Sequence, residues 1–165
     1  MKMIESERLN IVEAMPSDIP LIIEIENKPD NRDFIWQGTY EQHLSEINDP
    51  NHLLLLFKAK EDDRVVGYTL CRLDFKSHIF ELRRIAIEEK GKGYGREAMQ
   101  RMIDYAFLET ETNRFWLDVY PDNLKGINLY ESLGMHRDGI LRQNYLSDRG
   151  YLDQIIYSIL RSEYI

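Results

Sequence analysis

Apolar and polar positions along the chain fall into alternating and helical runs parted by short polar turns. "LNIVEAM" (Leu9 to Met15) alternates loosely and predicts a first strand. "PSDIPLIIEIEN" follows, with Ser17 or Asp18 as N-cap and Ile19, Ile22, Ile23 and Glu26 at helical spacing. "KPDNRDFIWQG" is polar and turn-rich with an aromatic insertion. "TYEQHLSEIND" opens on a Thr39/Gln42 capping box and predicts a second helix. "HLLLLFKAK" and "RVVGYTLCRLDF" predict two strands around the charged turn "EDD", and "HIFELRRIAI" (His78 to Ile87) predicts a fourth. The next helix lines up Ala98, Met99, Met102, Ile103 and Ala106 on one apolar stripe. "RFWLDVY" is a fifth strand, and "LKGINLYESLGM" a short helix with Gly134 as its C-cap. "HRDGILRQNYL" and "GYLDQIIYSIL" close the chain as two strands around "SDRG".

The order is β-α-α-β-β-β-α-β-α-β-β. It predicts an α+β (α/β) protein with a mixed, mostly antiparallel sheet of about seven strands and about four helices. One parallel crossover joins the fourth strand to the fifth. No repeat, linker or low-complexity segment appears in the 165 residues, so one domain over residues 1–165 is expected.

A hydrophobic fraction of 43% with 30% charged residues fits an ordinary globular chain. The net charge of −8 argues against bulk nucleic-acid binding and mildly favours cationic substrates. One cysteine rules out an internal disulfide, and Cys71 lies in an apolar strand pattern, as a buried thiol does. No apolar run is long enough to span a membrane, and "MKMIESERLN" lacks a signal-peptide core, so a cytoplasmic protein without membrane partners is expected. The four histidines show no ligand spacing, so no metal is expected. GxSxG is absent, which removes the serine-hydrolase reading.

One stretch joins strand to helix in an unusual way. "EEKGKGYGREAM" holds Gly91, Gly93 and Gly95 among Lys90, Lys92 and Arg96. A dinucleotide fingerprint fails because Arg96 stands where the last glycine belongs, and no P-loop motif exists. The physical ingredients still suit phosphate. Glycines permit close backbone approach, and the first helical turn offers free N–H groups and partial positive charge. An ordinary solvated turn has the same composition.

"KGKGYG" fits [QR]-x-x-G-x-[GA] with Lys90 in the first place. After the fifth strand come Asn123 and, with six residues between, Tyr130-Glu131-Ser132-Leu133-Gly134. In that order the two motifs resemble the GNAT superfamily of acyl-CoA-dependent N-acetyltransferases. The element order fits that fold along essentially the whole chain, while the motifs cover residues 79 to 137. Lys90 replaces the usual Gln or Arg, and Met135 the commoner Phe. The C-terminal half is similar to two branches, one acting on ribosomal-protein N-termini and one on spermidine and other polyamines.

The resemblance implies acetyl-CoA as cosubstrate, with its pyrophosphate on the backbone of Lys90, Gly91, Lys92, Gly93, Tyr94, Gly95 and Arg96. It implies that the fourth and fifth strands splay at a bulge. The pantetheine arm then runs along Ile85, Ala86 and Ile87, where an N–H polarises the thioester carbonyl. Asn123 would bond the pantetheine amides, cap the last helix, or both. Lys125 would meet a cofactor phosphate or stay solvated.

The reaction implied is direct attack by a primary amine. An alkylammonium must first lose a proton, for which a carboxylate is a suitable base. Glu81 stands where some family members carry that base. Residues two apart share a strand face, so Glu81 and Arg83 could equally pair with each other. Tyr130 matches the family's tyrosine acid; a tyrosine pKa of about 10 against roughly 8.5 for a thiol makes full transfer uphill by about 2 kcal/mol, which leaves a hydrogen bond to the thiolate as its contribution. Acceptor walls fall in "KPDNRDFIWQGTY" and "NYLSDRGYLDQ", with Phe34, Trp36, Tyr40, Tyr145 and Tyr151 as aromatic faces. Asp30, Asp33, Asp148 and Asp153 stand ready to receive a cation. The acceptor is expected to be a small-molecule amine or a peptide N-terminus. A non-catalytic acyl-CoA-binding module on the same fold is the alternative, and the apolar last strand also suits a homodimer.

Overall fold

A computed structural model describes residues 3–164. One sheet of eight strands runs in the order β1-β2-β3-β4-β5-β6-β8-β7. The strands are β1 (Ile4–Glu5), β2 (Leu9–Glu13), β3 (His52–Ala59), β4 (Val65–Asp74), β5 (Ile79–Ile87), β6 (Arg114–Val119), β7 (His136–Ser147) and β8 (Gly150–Leu160). The helices are α1 (Ile19–Asn27), α2 (Pro29–Arg32), α3 (Tyr40–Asn48), α4 (Tyr94–Glu109) and α5 (Leu124–Ser132). Among the described residues, only β5 and β6 pair in parallel. The α+β class and the mostly antiparallel sheet are as expected. The counts rise to eight strands and five helices, because β1 is too short to show alternation and α2 is a single turn.

The sheet separates two cores. On one face α4 presents Ala98, Met99, Met102, Ile103 and Ala106, the predicted stripe, to Leu55, Phe57, Phe80, Leu82 and Phe115. On the other face Ile22 and Ile25 of α1 meet Leu54, Leu56, Tyr68, Leu70 and Ala86. Cover on both faces explains the continuous apolar run of β3. The Thr39/Gln42 capping box forms as expected, with Gln42 N donating to Thr39 Oγ1 at 3.2 Å and Thr39 N to Gln42 Oε1 at 2.8 Å. Asp18 is the N-cap of α1, as expected, but without a side-chain capping bond there; its carboxylate instead accepts from Met15 N at 2.7 Å and braces the 3₁₀ turn Pro16–Asp18 that precedes α1. Gly134 ends α5 at φ 84°, in the left-handed region.

Two features of the middle of the sheet make the site. First, Leu70 pairs with Arg84 and Cys71 with Leu82, so Arg83 is an extra residue in β5. The bulge switches faces: Phe80 and Leu82 lie in the α4 core, whereas Ala86 lies in the α1 core. Second, β5 and β6 stay paired for three positions only, ending at Glu81 with Trp116. Both strands then continue with their outer neighbours, β5 to Ile87 and β6 to Val119. The inner edge of β5 from Leu82 to Ile87 is left without a partner strand.

Candidate active site

The diverging strands open a cleft of about 1500 Å³. Its floor is the free β5 edge, with Ile85, Ala86 and Ile87 among its lining residues. One end meets the glycine turn. Gly91 and Gly93 both adopt φ 80°, which a residue with a Cβ resists. Gly93 caps α4, and the first helical bond is Glu97 N to Gly93 O at 3.2 Å. The N–H groups of Tyr94, Gly95 and Arg96 precede that bond, so they form the unspent donor set of a helix N-terminus.

Arg8, unnoticed in the sequence, braces this turn. Its Nη1 donates to Lys92 O at 2.9 Å, its Nε to Glu97 Oε1 at 2.7 Å, and its guanidinium covers the Tyr94 ring at 4.5 Å. The three basic residues of the turn have protein partners. Lys90 Nζ donates to Asn31 Oδ1 at 2.7 Å, Lys92 pairs with Glu89 at 3.0 Å, and Arg96 bonds Ser132 Oγ. Asn123 caps α5 by accepting from Gly126 N at 3.0 Å and also lines the cleft, as does Lys125.

Tyr130 is buried in the cleft wall with no hydrogen bond to its hydroxyl among the described residues, and burial drives its pKa far above the ordinary tyrosine value. Glu81 lines the same cleft; burial raises its pKa, while Arg83, at 3.6 Å, opposes the rise. The ion pair allowed by the sequence therefore exists, but its length is beyond a hydrogen bond. A second carboxylate, Asp118 of β6, also lines the cleft with its pKa raised by burial. It accepts from Gln154 Nε2 at 2.8 Å and adds to the upward push on Glu81 and Tyr130. Its signal in "FWLDVY" is a carboxylate between apolar core positions of a strand.

The far end holds Phe34, Trp36 and Tyr145, as expected, and adds Tyr120, which stacks on Tyr145 at 6.0 Å. Trp36 covers the Arg84 guanidinium at 4.5 Å. Behind it lies a buried charged cluster. Arg84 Nη2 donates to Glu46 at 2.7 Å, and His43 bonds Glu46 at 2.7 Å and Glu26 at 3.0 Å. Tyr68 donates to Glu26. Burial alone would depress the His43 imidazole; its bonds to Glu26 and Glu46 outweigh that and push it up to about 9. Asp148 lies outside this cleft, in an adjoining groove, exposed and 3.6 Å from Arg32. Asp30 lines the cleft, Asp33 lines the groove, and Asp153 accepts from Gln143 N at 2.7 Å. Tyr151 is 64% exposed and Tyr40 42%, so neither forms a wall. Among the described residues no cluster of three or more His, Cys, Asp or Glu is arranged for a metal ion.

Comparison with known proteins accords with this geometry. An uncharacterized N-acetyltransferase p20 of Bacillus licheniformis is 36% identical over 74 residues, covering 45% of this chain and 42% of that protein. The spermidine N(1)-acetyltransferase of Vibrio cholerae is 33% identical over 81 residues, covering 49% and 47%. The [ribosomal protein bS18]-alanine N-acetyltransferase of Salmonella typhimurium is 31% identical over 110 residues, covering 64% and 70%. The chain spans 42%, 62% and 47% of the first three curated relatives. The solved structure of Vibrio cholerae spermidine N-acetyltransferase with CoA and spermine superposes with a TM-score of 0.85 at 21% identity, over 96% of this chain and 99% of that one. The model of the Acetyltransferase (GNAT) family matches residues 17–135, and the chain belongs to that family.

Proposed function

We propose that the protein transfers an acetyl group from acetyl-CoA to a primary amine by direct attack. The observation that carries this reading is the free edge of β5 from Leu82 to Ile87, running into the glycine turn and facing an unpartnered tyrosine hydroxyl. An unpaired strand edge is a row of backbone donors and acceptors, which suits an extended amide chain such as pantetheine. The N–H groups of Tyr94, Gly95 and Arg96 suit its pyrophosphate, and the turn's left-handed glycines leave the approach clear: no atom lies within 4 Å of a Cβ built at Gly91.

Acetyl-CoA supplies the activated acetyl group. The chain's residues do the rest. A free β5 N–H donates to the thioester carbonyl as charge develops there. Glu81, with Asp118 beside it, receives the ammonium proton; burial has moved both carboxyls toward the amine's own pKa, which eases the transfer. Tyr130 Oη, buried and without a hydrogen-bond partner among the described residues, donates to the departing sulfur. Its pKa lies far above a thiol's, so it acts by hydrogen bond and not by full proton transfer. Trp36, Phe34 and Tyr145 offer aromatic faces to the amine's cation.

The relatives' names bring polyamines and ribosomal-protein N-termini into the acceptor panel. Free CoA thiol is measured with spermidine, spermine, short peptides, aminoglycosides and amino acids. Turnover on one class supports the reading and names the acceptor. Tight acetyl-CoA binding with no turnover on any amine replaces it with a non-catalytic binding module.

A further inference from the structure

Asp118 is held by a two-link chain of polar side chains along the cleft wall, Gln154 and Asn144. Gln154 stands two residues from Ile156, the β8 partner of Asp118, and so shares its sheet face. Its Nε2 donates to Asp118 Oδ2 at 2.8 Å, and its Oε1 accepts from Asn144 Nδ2 at 2.6 Å. Asn144 belongs to a three-residue bulge in β7. Leu141 pairs with Gln154 and Tyr145 with Leu152, so Arg142, Gln143 and Asn144 are looped out opposite Asp153. Gln143 pays for the loop with φ 50°, and Asp153 fastens it by accepting from Gln143 N at 2.7 Å.

The direction of the chain is what matters. Asn144 donates, so Gln154 must present its oxygen outward and its NH₂ to Asp118. An NH₂ facing a carboxyl favours the ionised form, which only accepts. We infer that Gln154, oriented by Asn144 from the β7 bulge, is a positioning residue that keeps Asp118 ionised and aimed into the cleft as a proton acceptor for the incoming ammonium. This rests on the acetyl-transfer reading above. The other groups that bear on Asp118 are Glu81 and Arg83 from β5, Tyr120 just past the end of β6 and Tyr130 from α5. None of these donates a hydrogen bond to its side chain; among the described residues its donors are Gln154 Nε2 and its own backbone N–H, so Gln154 is the side chain in that role.

The test uses Gln154→Leu, which removes the donor at similar length, and Asn144→Ala, at an exposed position of the β7 bulge. Two readouts are taken: the Asp118 carboxyl titration by ¹³C NMR, and kcat/KM against pH with the acceptor that wild type accepts. Losing a donor to the charged form raises the carboxyl pKa. Gln154→Leu is expected to move the Asp118 midpoint and the acid limb of kcat/KM upward by about one pH unit. Asn144→Ala moves both in the same direction by less, with the alkaline plateau held within about threefold. An Asp118 midpoint that stays put in both variants overturns the inference. So does a shifted midpoint with a uniform loss of kcat/KM at every pH, since that is a structural defect. Failure of the parent reading looks different: wild type then turns over no amine at any pH while the NMR titration still responds to Gln154→Leu.

Discussion

The buried cluster behind the cleft makes stability depend on pH in a direction that can be worked out. His43 and Glu26 are both fully buried, and Glu46 and Arg84 nearly so. The imidazole pKa rises from an ordinary 6.5 to about 9, because Glu26 and Glu46 hold its charged form against burial. A pKa raised on folding means the folded state binds the proton more tightly. The stabilisation is complete below pH 6.5 and is lost as pH climbs through 9. At 1.36 kcal/mol per pH unit, that interval corresponds to about 3 kcal/mol. Glu46 titrates the other way: burial works against its charge, but His43 and Arg84 prevail and lower its pKa. Its contribution is present above the ordinary carboxylate range and fades only in acid. The assay is urea unfolding of wild type and His43→Gln at pH 6, 7.5 and 9. The variant is expected to be less stable by about 3 kcal/mol at pH 6, with the gap closing steadily toward pH 9. A gap of constant size would refute the charged-histidine argument, because a packing loss does not titrate.

Three further outcomes follow from single residues. Tyr130→Phe removes a hydroxyl that has no hydrogen-bond partner among the described residues, so the melting temperature and acetyl-CoA affinity should hold while kcat falls about 10²-fold; a fall below threefold would remove the tyrosine from the reaction. Gly93→Val puts a β-branched residue at φ 80° with its Cβ 3.4 Å from Arg8, costing about 1–2 kcal/mol and loosening the turn. Calorimetry should record weaker acetyl-CoA binding, and unchanged affinity would mean that the turn does not hold the phosphates. Gly67→Ala sets a Cβ 2.4 Å from Ala86 O, so β4 and β5 must part there; a loss of about 1–3 kcal/mol in urea unfolding is expected, and a neutral result would mean the β5 edge is softer than its pairing implies.

Local pattern was enough for most of the fold and the cofactor end of the site. The Thr39/Gln42 box, the α4 stripe and the left-handed glycines are each fixed by a few neighbouring residues, so the sequence displays them directly. The acceptor end depends on chain segments far apart. Asp148 reads as a cation receiver beside Tyr145, yet the β7–β8 turn carries it out of the cleft to Arg32. Asp118 and Gln154 read as polar residues on separate strands, and only the antiparallel register of β6 with β8 brings them together.

Arg84 is the clearest case, because the sequence holds a clue that local alternation misreads. Phe80, Leu82, Arg84 and Ala86 alternate in phase, and all four are buried. An unbroken strand would drive the Arg84 guanidinium into the α4 core among Phe80, Phe115 and Met102, where an unpaired charge costs several kcal/mol. The bulge at Arg83 resolves the conflict by turning the strand over, which brings Arg84 to Glu46 and Glu26. Glu26 is the matching clue, a carboxylate on the apolar stripe of α1. Two charged residues each in phase with a core face are far cheaper buried together than apart, and their pairing calls for a change of face in β5. The same bulge sharpens the local twist next to the last β5–β6 pair at Glu81, where the two strands part. The charge pair hidden behind Trp36 and the open strand edge in front of it are therefore consequences of one inserted residue.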